Sequence, residues 1–385
     1  MERKFISHCT ELKGSHYAIG YQLGLLVHSL APLRERLLSE SRPISERKLK
    51  RLKDIFRSYC PGLNEELQGF SDANEICSSQ VLYYAASCIS PGCSQLVLSP
   101  KLTENGHVYL VRNYDYFPEM DDWVLCRTMV KGRYAHLGTN ILQFGRGEGI
   151  NEHGLAIGCS ALPPFDKKEF VVEGLQFWAV TRTILENTKN VEEALPRMKE
   201  IPIACNANFL LADKDGELAI FESFEGRKAF FRMERENPEG FLAAANHAHL
   251  CAMIRLSPFA MKHSVQRMRI LRSYLEKKPV SSDRLRSLLL TDFPDGWKMS
   301  YYPCSFGTLK SMIFDLNEAS LEICWGGLSE NRWERHFLRE ALPDSEREIK
   351  IIDRPCPEDF SESVRLSPKD EGFPFRRAVN RSEIP

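Results

Sequence analysis

Ala18, Ile19, Leu23, Leu26, Val27 and Leu30 recur at helical spacing after Gly14-Ser15, which predicts a first helix. Ser45 to Tyr59 alternates apolar and basic positions as an amphipathic helix, and its Lys/Arg run reads as a solvated face. Asn64 to Ile76 follows the Pro61-Gly62 break as a third helix, so residues 1–92 read as helical. The pattern then changes period. Cys93 to Leu98 and His107 to Asn113 are short strands joined through the turn Asn105-Gly106. Further strands are expected over Val124 to Val130, Ile141 to Phe144 and Leu155 to Cys159. Two helices follow, Leu175 to Asn187 and Val191 to Lys199. Strands come again at Asn208 to Ala212, Leu218 to Glu222, Lys228 to Met233 and Gly240 to Asn246. Helices over Ser257 to Glu276 and Ser282 to Leu289 precede a last hairpin, Thr308 to Asp315 with Ser320 to Cys324.

Two helical blocks thus interrupt a hairpin-rich series. That order suits two antiparallel sheets stacked face to face with helices outside, an α+β arrangement, and not alternating βαβ units. No internal repeat is visible. Residues 343–385 are charged and proline-rich with little apolar periodicity, and read as a polar, largely irregular tail.

Composition narrows the functional classes. The 385 residues carry 51 Lys/Arg against 52 Asp/Glu, a formal charge of −1. Such balance argues against a nucleic-acid or anionic-membrane partner. An apolar share of 43% is enough for a large core. The N-terminal residues lack a secretory pattern, so a cytoplasmic location with reduced thiols is expected for the 12 cysteines. One of them, then, is a candidate nucleophile.

Several chemistries find no motif: there is no G-x-G-x-x-G, no P-loop, no H-E-x-x-H and no C-x-x-C. His247, His249 and Cys251 alternate and could share a strand face, but a zinc site takes four ligands, so two polar residues at a strand end is the simpler reading. Cys93 stands out. It opens a strand directly after Ser90-Pro91-Gly92, and the returning strand ends in Arg112-Asn113-Tyr114-Asp115. The hairpin brings Arg112 and Asp115 back beside Cys93. A guanidinium there favours thiolate over thiol, and a carboxylate can orient an amine or balance the guanidinium.

These residues carry a resemblance. Gly92-Cys93-Ser94, Arg112 to Asp115, Gly149 to Leu155, Asn208 to Asp213 with Gly216 and Glu222, and Asn246-His247 come in the order seen in one group. Ala18 to Gly24 fits it too. The chain resembles cysteine N-terminal-nucleophile (Ntn) hydrolases of the acyl-CoA:isopenicillin N acyltransferase type, the C45 autoproteolytic acyltransferase/hydrolase family. Choloylglycine hydrolases and acid ceramidase are more distant relatives. The similarity spans about residues 10–328.

The resemblance implies an αββα four-layer sandwich over residues 93–342, with residues 1–92 as a helical segment packed on it. It implies self-cleavage between Gly92 and Cys93, glycine permitting a strained backbone, and a 1–92 fragment retained as a non-covalent heterodimer partner. It implies a Cys93 thioester acyl-enzyme acting on linear C–N amides of an N-acyl amine or amino-acid derivative, possession of an acyl-CoA site being one option and a homo-oligomer another. No cofactor or metal is implied. Asn246 becomes the oxyanion donor, with Arg112, Asp115 and a late arginine, Arg267 or its rival Arg255, as site residues. Tyr114, Phe117 and His247 are expected at the substrate. Phe117, Trp123, Phe165 and Trp178 are pocket or core aromatics. One departure stands out: the stretch Gly154 to Ala161 lacks the asparagine of bile-salt hydrolases, so a second donor falls to backbone N–H or Ser160. The competing reading is a non-catalytic, unprocessed Ntn-fold binding protein. A cysteine peptidase pairing Cys93 with His247 is a third.

Overall fold

The chain opens with a strand, Glu2–Gly14, where helix was expected. It runs parallel to Val124–Val130 and antiparallel to Ser345–Ile352. Its polar composition hid it, because most of its length is half-exposed and only Ser7, His8, Cys9 and Leu12 are buried. In this computed structural model, residues 1–40, 43–85, 92–141, 145–162, 173–276 and 279–367 are described. Phe144, Phe165 and the Ser90-Pro91 turn lie outside those residues.

Two sheets form the centre. The larger has ten strands, ordered Arg227–Met233, Leu218–Phe224, Ala207–Asp213, Leu155–Ala161, Gly149–Asn151, His136–Ile141, Val124–Val130, Glu2–Gly14 and Ser345–Ile352, with Gly145–Arg146 paired to His136–Ile141. The smaller has seven, ordered Phe241–Ala244, Gly92–Leu98, Tyr109–Tyr116, Phe306–Asp315, Ser320–Trp325 and Glu334–Phe337, with Ser300–Tyr301 on Phe306–Asp315. They stack face to face: Gly158 of the larger sheet lies against Gln95 and Leu110 of the smaller. Helices His16–Ser29, Phe177–Asn187 and Val191–Glu200 pack on the larger sheet. Lys262–Glu276 and Ser282–Leu290 cover the smaller one, through Leu96, Val111, Leu271, Leu285 and Trp297. This is the four-layer αββα sandwich of Ntn hydrolases.

The N-terminal helices are fixed by close approach. A Cβ on Gly20 would sit 2.0 Å from the Glu66 carbonyl oxygen, and one on Gly69 2.1 Å from that of Tyr17. Only glycine lets His16–Ser29 and Leu63–Ala73 touch backbone to backbone, which explains the Gly20 of the Ala18 to Gly24 motif. The C-terminal region also departs from expectation. Ser345–Ile352 is an edge strand of the larger sheet, and Ser363–Arg365 pairs with Phe259–Met261. Cys304 and Cys356 are joined by a disulfide, so not all 12 cysteines are thiols as expected. No described helix is long and apolar enough to cross a membrane.

Candidate active site

Strand alternation divides the residues around Cys93 between two faces. Gly92 pairs with Asp115, Cys93 with Tyr114 and Gln95 with Arg112. Cys93, Gln95, Arg112 and Tyr114 therefore point between the sheets. Gly92, Ser94, Asn113 and Asp115 point to the helices over the smaller sheet. The thiol sits at the end of its strand, where groups from both faces reach it.

From the interior side, Arg112 donates an Nη2–H to Cys93 Sγ at 3.1 Å. It is held by Glu148, whose Oε2 is 3.0 Å from Nε, and by the Cys159 carbonyl. All three side chains are buried. Burial pushes the Cys93 thiol up to about 11, while Arg112 pulls it down and Asp115 pushes it up. Glu148 was missed from the sequence, since a lone Glu before Gly149 gives no spacing signal.

From the helix side comes Arg267. Its Nη1 donates to the Cys93 carbonyl and to Ser94 Oγ, both at 2.7 Å, and its Nη2 to Asn246 Oδ1 at 2.8 Å. Arg255 is exposed on its turn, so the late arginine at the site is Arg267. Asp115 lies 3.8 Å from Arg267 and accepts a 2.7 Å bond from Thr308. Burial raises its carboxyl to about 6 against the pull of Arg267, Thr308 and Arg112. Asp115 thus faces Arg267, on the opposite face of the strand from Arg112.

Asn246 closes the constellation. It follows the edge strand Phe241–Ala244, and its Oδ1 accepts from Cys93 N at 3.0 Å, while Nδ2 donates to the Ala161 carbonyl at 3.1 Å. The structure therefore brings together Cys93, Arg112, Asp115, Asn246 and Arg267. Gly92 opens the same strand as Cys93 in ordinary extended backbone, not in the positive-φ region, so strain does not explain the glycine. A Cβ there would meet the Phe306 ring at 2.3 Å, and close packing explains it instead.

Other expected residues fall differently. Ser160 donates to the Ala245 carbonyl at 3.0 Å and accepts from Gln95, so its one proton is already used and it is no second oxyanion donor here. His247 is buried with Nδ1 2.8 Å from Ser264 Oγ, and its ring stands 4.3 Å from that of His249. Burial, with smaller pushes from His249, Arg267 and His263, holds it neutral, well below the usual histidine range. Tyr114 is buried between Arg112 and Lys310, whose Nζ is 4.7 Å from its ring centre. Phe117 is half-buried with its ring edge on Tyr116. Trp123 stacks on Phe5 and Trp178 meets Phe56, so both are core. Asn151 builds a turn: Oδ1 accepts from His153 and Leu155 N–H, and Nδ2 donates to two carbonyls. Among the described residues, metal-ligand spacing occurs at Cys9, Glu334 and His336, where Arg347 already pairs with Glu334, and not at His247, His249 and Cys251.

A model of the acyl-coenzyme A:6-aminopenicillanic acid acyl-transferase family matches residues 102–330. No curated protein matches the chain. Penicillin V acylase from Agrobacterium tumefaciens is similar in structure at 17% identity and TM-score 0.39, over 60% of this chain and 83% of its own. A conjugated bile acid hydrolase variant from Clostridium perfringens aligns at 13% identity and TM-score 0.43, over 69% of this chain and 99% of its own. The Caenorhabditis elegans ortholog of N-acylethanolamine-hydrolyzing acid amidase aligns at 12% and 0.42, over 58% and 93%. By the span of that family match, the chain belongs to the acyl-coenzyme A:6-aminopenicillanic acid acyl-transferase family and is an Ntn-type acyltransferase or amide hydrolase.

Proposed function

We propose that this enzyme cleaves itself between Gly92 and Cys93 and then acts through Cys93 on linear amides of N-acyl amines or amino-acid derivatives. The observation that carries the reading is the thiol of Cys93, which meets Arg112 at 3.1 Å while its own backbone nitrogen meets Asn246 at 3.0 Å. In the maturation step the thiol adds to the Gly92 carbonyl carbon. The Gly92–Cys93 C–N bond breaks, the nitrogen takes a proton, and a thioester remains. Water hydrolyses that thioester, leaving a Gly92 carboxylate and a free Cys93 amine and thiol.

The new amine occupies the position of the present Cys93 N–H, with Asn246 Oδ1 accepting one of its hydrogens. An α-amine titrates near ~7.7–8.0, so an appreciable share, roughly a tenth to a sixth, is free base at pH 7. It removes the thiol proton, and Arg112 stabilises the thiolate. The thiolate attacks the substrate carbonyl, and Asn246 Nδ2 donates to the oxyanion, a contact of roughly 2.7–4 kcal/mol in such sites. The leaving amine takes the proton from the Cys93 ammonium. Water, or an amine acceptor, then releases the acyl group from sulfur. Arg267 fixes the Cys93 carbonyl and the Asn246 amide, and Asp115 with Thr308 balances its charge.

Retention of the 1–92 fragment as a heterodimer partner is supported by two features. Glu2–Gly14 is hydrogen-bonded on both sides inside the larger sheet, and Glu66 forms a fully buried pair with Arg182. Intact mass of purified protein tests the reading, with an N-acyl amide panel beside it. Fragments ending at Gly92 and beginning at Cys93, absent in Cys93→Ala together with all turnover, are expected. A single uncleaved chain with no amide turned over overturns it and favours a non-catalytic Ntn-fold binding protein.

A further inference from the structure

Two residues of the sequence motifs have no part in the chemistry above. Asn208 and Glu222 are direct cross-strand partners on the larger sheet. Asn246 belongs to the other sheet, in the turn that follows Phe241–Ala244. Both side chains cross the gap and grip that turn. Asn208 Nδ2 donates to the carbonyls of Ala245 and His247, each at 2.9 Å, the two residues flanking Asn246. Glu222 accepts the His249 N–H at 2.7 Å through Oε1 and the Leu250 N–H at 3.0 Å through Oε2. Neither residue is exposed at all.

Other contacts hold the same turn: Ser160 Oγ donates to the Ala245 carbonyl at 3.0 Å and Asn246 Nδ2 to the Ala161 carbonyl at 3.1 Å, each reaching the larger sheet by one bond. The Asn246 N–H goes to Ser264 Oγ at 2.9 Å, and the Ala245 N–H to His249 Nε2 at 3.1 Å, within the smaller sheet's own side. Against these single bonds, the Asn208–Glu222 pair ties the turn to the opposite sheet through four bonds to four different peptide groups. We propose that Asn208 and Glu222 are a paired positioning device that sets Asn246 against Cys93, fixing the amide at both the amine and the oxyanion. This rests on the Cys93 mechanism proposed above. A displacement near 1 Å at a reacting centre costs about 10²-fold in rate, so loosening the pair reaches the chemistry without touching substrate.

The test is a set of double-mutant cycles. Asn208→Ala and Glu222→Gln are each made alone and with Asn246→Ala, and kcat and KM are measured on an amide that the wild type turns over. Glu222→Gln preserves shape but turns one acceptor into an N–H facing an N–H, so it serves where Asn208→Ala does not fold. Each single variant is expected to lower kcat about 10–100-fold with KM within about threefold, and to add less than about threefold to Asn246→Ala. The same loss in both backgrounds, or a change confined to KM, overturns the proposal. A wild type that turns over no amide speaks against the mechanism alone. Crystal structures of the single variants then decide the positioning: Asn246 displaced from Cys93 N supports it, and Asn246 unmoved overturns it.

Discussion

Removing Arg112 tests the electrostatics of the site most directly. The buried guanidinium lies 3.1 Å from Cys93 Sγ. At a charge separation of about 4 Å and an effective dielectric of about 20, the attraction to a thiolate is about 4 kcal/mol, or about 3 pKa units. A single Arg112→Met change would confuse two effects. It leaves Glu148, 3.0 Å from Arg112 Nε, as an uncompensated buried charge. Breaking such a pair from one side costs about 3–5 kcal/mol of stability. The informative protein is Arg112→Met with Glu148→Gln, in which the charge is gone from both partners and Gln can still accept the Thr139 hydroxyl that Glu148 accepts. Urea unfolding is expected to place the double variant near wild type and the single variant well below it. Activity is expected to fall in both, by about 10²–10³-fold in kcat/KM at pH 7. The acid limb of the pH profile should also move upward, because losing a cation beside sulfur makes deprotonation harder. If the double variant keeps its limb, or the limb moves down, the working form does not carry its negative charge on Cys93 and the mechanism above is wrong.

Other outcomes follow from the same geometry. Gly92→Ala drives a Cβ into the Phe306 ring, at 2.3 Å, and should lower stability by about 1–3 kcal/mol while Gly92→Ala with Phe306→Leu recovers most of it, as read by thermal unfolding. If the single change is silent, the close-packing account of this glycine fails. Cys304→Ser with Cys356→Ser opens a link spanning 52 residues, and an unfolding midpoint lowered by the equivalent of up to about 4 kcal/mol is expected. Equal stability of the two proteins under oxidising conditions would remove that link from the fold's support. His263 is held neutral to about 2 by burial and by Arg267, and it stacks on Phe360 and meets Phe306 edge to face. Its folded pKa is depressed, so its contribution is complete above about 6.5 and is lost as pH falls toward the folded value. His263→Phe should therefore flatten the acid side of the stability curve by about 1.4 kcal/mol per pH unit below pH 6, measured as urea midpoint against pH. A curve parallel to wild type counts against that assignment.

What could be read from the chain follows the range of each signal. Cys93 and Arg112 lie on two strands of one hairpin, and period-2 alternation plus a turn places them together. Asp115 came with that hairpin, but its parity with Arg112 is odd, and so the structure faces it to Arg267 and not to Arg112. Asn246 and Arg267 lie far along the chain, and no periodicity joins them to Cys93; motif order alone pointed to them. Glu148 has neither kind of signal. It is visible only once the sheets are stacked, because the charge it balances is on the other sheet. The same limit hid the terminal strands. Glu2–Gly14 and Ser345–Ile352 are largely polar because each shows much of its length to solvent, yet they pair with each other across the whole chain.

That last pairing bears on how the enzyme would stay intact after the proposed cleavage. A cut at Gly92 separates Glu2–Gly14 from both of its neighbours in sequence but not in hydrogen bonding, since Val124–Val130 and Ser345–Ile352 both belong to the other fragment. Release of residues 1–92 would expose two strand edges and take Glu66 out of its buried pair with Arg182, which would keep Glu186. The terminal strand, read as helical in the sequence, is therefore what would hold the two pieces together if the bond at Gly92 breaks as proposed. Fragments that separate on dilution in native buffer, at any concentration where the uncleaved Cys93→Ala protein stays folded, would show that this strand and ion pair do not hold them.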